Sequence, residues 1–114
     1  MKRPCVYILA SKRDGVLYIG VTSDLGHRMA QHTQHLIEGF TAKYNVTQLV
    51  YCEFFDTMED AITREGRLKK WHRAWKVKLI ERMNPEWENL FNPETGEIAE
   101  RARGGQDTMA SDLR

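Results

Sequence analysis

The sequence lacks any long apolar run: no part of its 114 residues approaches the roughly 20 apolar residues of a transmembrane helix. It does not open with the pattern of a secretion signal, and no internal repeat is visible. Cysteine is scarce, since only Cys5 and Cys52 are present, and their spacing does not match a zinc site. These absences predict a single domain of a cytoplasmic protein, with no membrane contact and with both cysteines reduced and buried.

A strong charge of either sign is also missing, but the net charge of +1 hides an uneven distribution. Residues 1–83 contain 14 lysines and arginines against 9 acidic residues, whereas residues 84–114 contain 3 against 7. The most basic stretch, residues 64–82, has 8 basic residues, 2 acidic residues and 2 tryptophans. Such a stretch is typical of a surface that binds nucleic acid phosphates, although a solvated helix face has the same composition.

Local patterns predict an α/β (α+β) fold with three strands and helices after the second and third strands. The first two strands form a hairpin around Asp14–Gly15. Helix caps are predicted within Thr22–Asp24 and at Thr57, the latter in a capping box with Asp60. The strands are expected at residues 4–10, 16–21 and 48–55, and the first helix from Leu25 to residue 36 or 37, followed by a loop over 40–46.

The C-terminal part of the sequence is predicted to change character twice. The apolar phase of the second helix shifts near Ala74, which indicates a bend or a new helix that ends at Asn84–Pro85. A short piece then packs through Trp87, Leu90 and Phe91. The following residues have little apolar content and no periodicity. We therefore expect a folded domain over residues 1–92 and a disordered tail over 93–114.

Several polar side chains are predicted to face the core, where they are costly unless they are paired. Arg28 and His32 lie one turn apart and flank the apolar stripe of the first helix. Glu65 lies on the core-facing stripe of the second helix, where it either pairs with Lys69 or binds a divalent metal such as Mg²⁺. Tyr7 and Tyr18 lie on the two arms of the hairpin, and their spacing alone is consistent with either a structural or a functional role.

The order of these residues resembles the GIY-YIG nuclease superfamily, in particular its small stand-alone bacterial members. "CVY" at residues 5–7 stands in place of Gly-Ile-Tyr, and "YIG" at residues 18–20 matches the second signature. Arg28 and His32 match the R-x-x-x-H motif of the following helix. Residues 61–90 resemble the family pattern A-x-x-x-E…K-x-W…N-P-x-W-x-x-L. The resemblance covers residues 4–91 and implies a three-stranded antiparallel sheet flanked by helices.

The resemblance also implies an activity and a set of roles. Family members hydrolyse phosphodiester bonds with one divalent metal ion, Mg²⁺ or Mn²⁺. By this resemblance Tyr7 would be the general base for an attacking water, or would act on it through a metal-bound hydroxide. Tyr18 would orient the water or hold the phosphate, and Arg28 would neutralise charge in the transition state. His32 would assist or protonate the leaving oxygen, and Glu65 would hold the metal. An unperturbed tyrosine is a poor base at neutral pH unless nearby cations lower its pKa, and the candidates for this effect are Arg28, the metal, Lys43 and Lys69.

Two further sets of residues complete the expected site. Asn84 is either the positioning asparagine of the family or a helix cap beside Pro85. The basic residues expected to contact nucleic acid, DNA in preference to RNA, are Lys43, Arg64, Lys69, Lys70 and Arg73.

Three functions are consistent with this sequence. The first is a metal-dependent endonuclease that acts on DNA or branched nucleic acid, in repair or recombination. The second is a nucleic-acid-binding module with little or no turnover. The third is a structural protein in which tyrosine, arginine and glutamate form a hydrogen-bonded network.

Overall fold

The computed structural model describes residues 2–36 and 39–103 and confirms the predicted α/β architecture. Its centre is a three-stranded antiparallel sheet in the order β2–β1–β3. These strands are β1 (Cys5–Ala10), β2 (Leu17–Thr22) and β3 (Gln48–Phe54). Every residue of β1 is buried, because β1 is the middle strand and both faces of the sheet are covered.

Four α-helices lie within the described residues: α1 (Leu25–Thr33), α2 (Phe40–Lys43), α3 (Met58–Lys70) and α4 (Arg73–Met83). Helix α1 packs on the face of the sheet that carries Tyr7 and Leu9, through Leu25 and Met29. Helices α3 and α4 contribute buried side chains to the opposite face. None of the helices in the described ranges is long and apolar enough to cross a membrane.

Local hydrogen bonds set the ends of these helices. The Asp24 carboxylate accepts from the His27 N–H at 3.2 Å and begins α1, and the Thr57 hydroxyl accepts from the Asp60 N–H at 3.1 Å and begins α3. Helix α1 ends at Thr33, earlier than predicted, because His35 adopts a left-handed backbone (φ 57°). The Leu36 N–H then donates to the Gln31 carbonyl, which forms a Schellman motif.

Two other boundaries differ from the sequence prediction. The predicted loop over 40–46 contains the short helix α2. The predicted bend near Ala74 lies slightly earlier, at Trp71–His72, where extended backbone (ψ 148° and 151°) separates α3 from α4. Cys5 and Cys52 are buried thiols, as predicted, and the Cys52 Sγ atom donates to the Ala102 carbonyl at 3.5 Å.

The prediction of a disordered tail from residue 93 is wrong for residues 93–103. Strands β4 (Phe91–Asn92) and β5 (Glu97–Ile98) form a hairpin, and a 3₁₀ helix follows at Glu100–Arg103. Ala102 is fully buried against the α1 face, and the Ala99 N–H donates to the Leu90 carbonyl. A few small apolar residues are enough to hold this segment, because the sheet already offers a surface for them. The predicted tail beyond it, residues 104–114, lies outside the described residues.

Candidate active site

Tyr7 lies at the middle of β1, directly opposite Gly20 of β2. The phenol is 1% exposed and occupies the space that a side chain at position 20 would fill. A Cβ atom placed on Gly20 would lie 2.5 Å from the Cζ and Oη atoms of Tyr7. The glycine of "YIG" is therefore required by the tyrosine on the neighbouring strand, since any side chain there would displace the phenol.

Tyr18 lies on the same face of the sheet as Tyr7, but it is not directly opposite it. The register pairs Tyr18 with Leu9, so the two tyrosines are diagonal neighbours. Their ring centroids are 6.3 Å apart, which agrees with the predicted placement side by side on the hairpin.

His32 connects Tyr7 to a third element, the short helix α2. The Tyr7 hydroxyl and the His32 Nε2 atom are 3.1 Å apart, and the His32 Nδ1 atom is 3.2 Å from the Thr41 hydroxyl. His32 is buried, and this burial together with the Arg28 charge lowers its pKa to about 4. The imidazole is therefore neutral at neutral pH, with one ring nitrogen donating and the other accepting.

Arg28 precedes His32 by one turn of α1 and acts electrostatically on both buried groups. Its charge lowers the pKa of His32 and also acts to lower the pKa of Tyr7. For Tyr7, however, burial has the larger effect, and the neighbouring Tyr18 adds to it, so the pKa lies well above its ordinary value. The Arg28 charge thus acts in the direction that favours a base, but it does not outweigh burial, and the phenol keeps its proton at neutral pH.

Glu65 reaches the same region from α3. Its carboxylate is 17% exposed, and one oxygen lies 3.1 Å from the Lys69 Nζ atom. The negative charge of Glu65 also raises the pKa of Tyr7, so the carboxylate and the phenol are electrostatic neighbours. Both predicted alternatives for Glu65 therefore stay open: the carboxylate pairs with Lys69, and it is also near enough to Tyr7 to act on the pKa of the phenol.

The donor set suits a metal ion that needs few protein ligands. Within residues 2–36 and 39–103, no group of three or more histidine, cysteine, aspartate or glutamate side chains is placed to hold a metal. Glu65 is a single carboxylate, 17% exposed, that lies near the Tyr7 phenol. A hydrated Mg²⁺ ion fits such a site, because it takes most of its ligands from water and substrate phosphate.

Thr41 is the member of this cluster that sequence reasoning missed. Its side chain is 5% exposed and contacts the His32 ring from α2. The segment was predicted to be a loop, and no periodicity links a threonine in it to a histidine nine residues earlier. The only local signal is a small hydroxyl residue between two aromatic residues, Phe40 and Tyr44, a pattern that becomes informative once the fold is known.

The basic residues predicted to contact nucleic acid separate into two groups. Lys43, Lys69 and Lys70 are exposed. The Arg73 guanidinium donates to the carbonyls of Asp14 and Gly15 at 2.8 and 2.7 Å, and so ties α4 to the β1–β2 turn. Both bonds come from Nη2 of an exposed side chain, so the contact of Arg73 with phosphate stays a prediction.

The prediction that Arg64 binds nucleic acid is wrong. Its Nε atom donates to the Glu53 carboxylate at 2.9 Å, and both side chains are nearly inaccessible, at 11% and 3% exposed. The guanidinium also lies over the Trp71 ring, 5.2 Å from its centroid. Arg64 therefore belongs to a buried ion pair between α3 and β3.

This ion pair makes a testable contribution to stability. We expect Arg64→Ala to lower the free energy of unfolding by about 3 kcal/mol, because it leaves the buried Glu53 carboxylate without its cation. Urea denaturation followed by circular dichroism would measure the change. Arg67→Ala, at an exposed position on the same helix, is the matched control and should shift stability by less than about 0.5 kcal/mol. Equal effects of the two substitutions would contradict the buried ion pair.

Asn84 takes the second of its two predicted roles, that of a helix cap. It is fully buried at the C-terminus of α4, and its Nδ2 atom donates to the carbonyls of Val50 and Glu88. Its Oδ1 atom accepts from the Glu88 N–H at 3.0 Å. These bonds join α4 to β3, so the expectation that Asn84 positions the catalytic residues is not supported.

Known proteins share both the motif and the extent of this domain. The model of the GIY-YIG catalytic domain matches residues 3–78. A UPF0213 protein of Staphylococcus saprophyticus is 38% identical over 80 residues, which cover 70% of this chain and 96% of that protein. A UPF0213 protein of Clostridium perfringens is 37% identical over 84 residues, which cover 74% of this chain and 89% of that protein.

A solved structure is also similar in sequence. The solution NMR structure of a UPF0213 protein from Bacillus halodurans is 29% identical, with a TM-score of 0.49, and covers 76% of this chain and 92% of that one. The family match spans both tyrosine motifs, the Arg28–His32 helix and the glutamate of α3. The chain therefore belongs to the GIY-YIG catalytic domain family.

Proposed function

We propose that this protein is a metal-dependent endonuclease that hydrolyses phosphodiester bonds in DNA. The observation that carries this proposal is the hydrogen bond between the buried Tyr7 hydroxyl and the neutral His32 ring, within the fields of Arg28 and Glu65. The family is one of nucleases, which supports the same activity. Preference for DNA over RNA, and branched intermediates of repair or recombination as substrates, are parts of the proposal.

The high pKa of Tyr7 favours a relay over a free phenolate. In this relay the attacking water gives a proton to the Tyr7 oxygen while Tyr7 passes its own proton to the His32 Nε2 atom. The relay uses the tautomer in which the His32 Nδ1–H donates to the Thr41 hydroxyl, 3.2 Å away, and Nε2 accepts. His32 then holds this proton on Nε2 and returns it through the Tyr7 hydroxyl to the leaving oxygen or to solvent, so that both groups regain their starting protonation.

The remaining residues act on the phosphate. Arg28 acts electrostatically on Tyr7 and would neutralise the charge that develops on the phosphate oxygens. Tyr18, beside Tyr7, would orient the phosphate or the water. Glu65 would hold one divalent ion, Mg²⁺ or Mn²⁺, which supplies Lewis-acid stabilisation of the phosphodiester when bound.

One observation favours the alternative of a binding module with little turnover. The Glu65 carboxylate pairs with Lys69 at 3.1 Å, so a metal ion must compete with this cation for the carboxylate. A persistent pair would leave the scaffold able to bind phosphates without cleaving them. The two functions differ in whether binding is followed by cleavage.

A cleavage assay separates these functions. Purified protein would be incubated with labelled single-stranded, flapped, branched and blunt duplex DNA, and with RNA of the same sequences, in Mg²⁺ or Mn²⁺. We expect metal-dependent cleavage of at least one DNA substrate, and EDTA should abolish it because the metal stabilises the transition state. Binding to these substrates without cleavage in either metal would select the binding module.

A further inference from the structure

Two aromatic side chains beside the candidate active site are exposed without an evident packing role. Phe40 begins α2 and is 46% exposed, and Tyr44 ends it and is 47% exposed. Their ring centroids are 4.9 Å apart. Phe40 also stacks on Tyr18, with the centroids 6.4 Å apart and the planes 25° apart. A continuous row of three rings thus leads from the active-site tyrosine out to the surface, and we call it the aromatic row.

The position of this row is fixed by the active site itself. Thr41, the residue after Phe40, faces inward and contacts His32. The contact holds α2 against α1, so Phe40 and His32 keep a defined spacing. Exposed apolar side chains that have no binding role usually occur singly, whereas two adjacent exposed rings are typical of an interaction site.

Lysine side chains surround the aromatic row. A cleft of about 280 Å³ is lined by Leu17, Tyr18, Ile19, Phe40, Lys69 and Lys76. Lys43 lies over the outermost ring, with its Nζ atom 5.4 Å from the Tyr44 centroid. Rings that are bordered by cations match the chemistry of single-stranded nucleic acid, in which exposed base faces alternate with phosphates.

We propose that this cleft binds an unpaired nucleotide next to the scissile phosphate, with its base stacked on Phe40 and its backbone held by Lys69 and Lys76. This inference rests on the proposed nuclease function and names its substrate class: single strands, flaps and the unpaired ends of branched DNA. A base within a duplex has both faces covered by its neighbours, so it cannot offer a face to the aromatic row. Unpaired bases are therefore the segment that this surface selects.

A binding cycle in EDTA, where no cleavage occurs, tests the stacking contact. Fluorescence anisotropy would measure the Kd of a labelled 15-nucleotide thymidine strand and of an abasic strand with the same phosphates. For the wild-type protein, we expect removal of the bases to weaken binding by about tenfold, within the range of base–aromatic stacking. For Phe40→Leu, which keeps an apolar side chain but loses the ring, the two strands should bind with nearly equal affinity.

Three further measurements complete this test. Phe40→Trp should restore the preference for bases, whereas Ile62→Ala, at an exposed apolar position of α3 outside the cleft, should leave it unchanged. Lys76→Ala should reduce the slope of log K against log salt by about 0.7, the loss of one phosphate contact to a single strand. Blunt duplex DNA should show no dependence on Phe40.

Equal binding of both strands by the wild-type protein would overturn the inference, and so would a Phe40→Leu variant that keeps the preference. The inference would also be overturned if Phe40→Leu weakened binding to blunt duplex DNA as much as it weakens binding to the thymidine strand. The nuclease proposal fails by a different result, which is the absence of cleavage in Mg²⁺ and Mn²⁺. Because binding is measured without metal, the two failures are distinguishable.

Discussion

Tyr7→Phe is expected to slow phosphodiester cleavage by about 10²- to 10⁴-fold, the usual contribution of a positioned acid–base group. The substitution removes only the hydroxyl. The ring still fills the space over Gly20, so the sheet should keep its register. What is lost is the hydroxyl 3.1 Å from His32, on which the proposed relay depends. Single-turnover cleavage rates in Mg²⁺ would measure the effect, and substrate affinity should change little.

Tyr51→Phe is the matched control for this experiment. Tyr51 is also a buried tyrosine of the central sheet, but it belongs to the opposite face, with α3 and α4. Its substitution should leave the cleavage rate per folded molecule within about twofold of the wild-type rate, since Tyr51 is on the other face of the sheet from Tyr7 and His32. If Tyr7→Phe slowed cleavage no more than Tyr51→Phe does, the hydroxyl relay would be refuted, and His32 would have to act directly on water.

The strands and helix starts could be predicted from the sequence, because their determinants are local. Thr57 and Asp60 form a capping box within one turn, and residues 17–22 show the period-two pattern of a strand. The end of α1 was missed, since its left-handed residue is a histidine and glycine is the usual signal. The order of residues 93–103 is not predictable from the sequence, because their few apolar side chains stabilise the segment only by packing on the surface of the folded domain.

The candidate site shows the same division. Tyr7, Tyr18, Arg28 and His32 follow from short motifs, and the structure brings them together. Thr41 and the fate of Arg64 depend instead on contacts between elements that are distant in sequence. Composition alone could not separate Arg64 from the exposed lysines of the same basic stretch. Whether a basic side chain of this stretch is exposed for binding or buried in an ion pair depends on whether its helix faces an acidic residue of the sheet.

Glu65→Gln is expected to lower the cleavage rate by about 10³-fold or more. A metal ion supplies several kcal/mol of transition-state stabilisation, and a neutral amide is a weak ligand for a hard cation. The fold should survive, because Glu65 is partly exposed and its partner Lys69 is solvated. Cleavage assays would report the rate, and electron paramagnetic resonance of Mn²⁺ would report metal binding without substrate.

Two control variants separate the metal role of Glu65 from its ion pair with Lys69. Glu59→Gln removes an exposed carboxylate from the first turn of the same helix and should leave both the Mn²⁺ affinity and the cleavage rate unchanged. Lys69→Met breaks the pair but keeps the carboxylate, so Mn²⁺ should bind more tightly once the competing cation is gone. Two results would assign the carboxylate to the ion pair alone. One is Mn²⁺ binding that Glu65→Gln leaves unaffected, and the other is Mn²⁺ binding that Lys69→Met weakens as strongly as Glu65→Gln does. The protein would then be a binding module that retains the phosphate-binding cluster without the metal that drives hydrolysis.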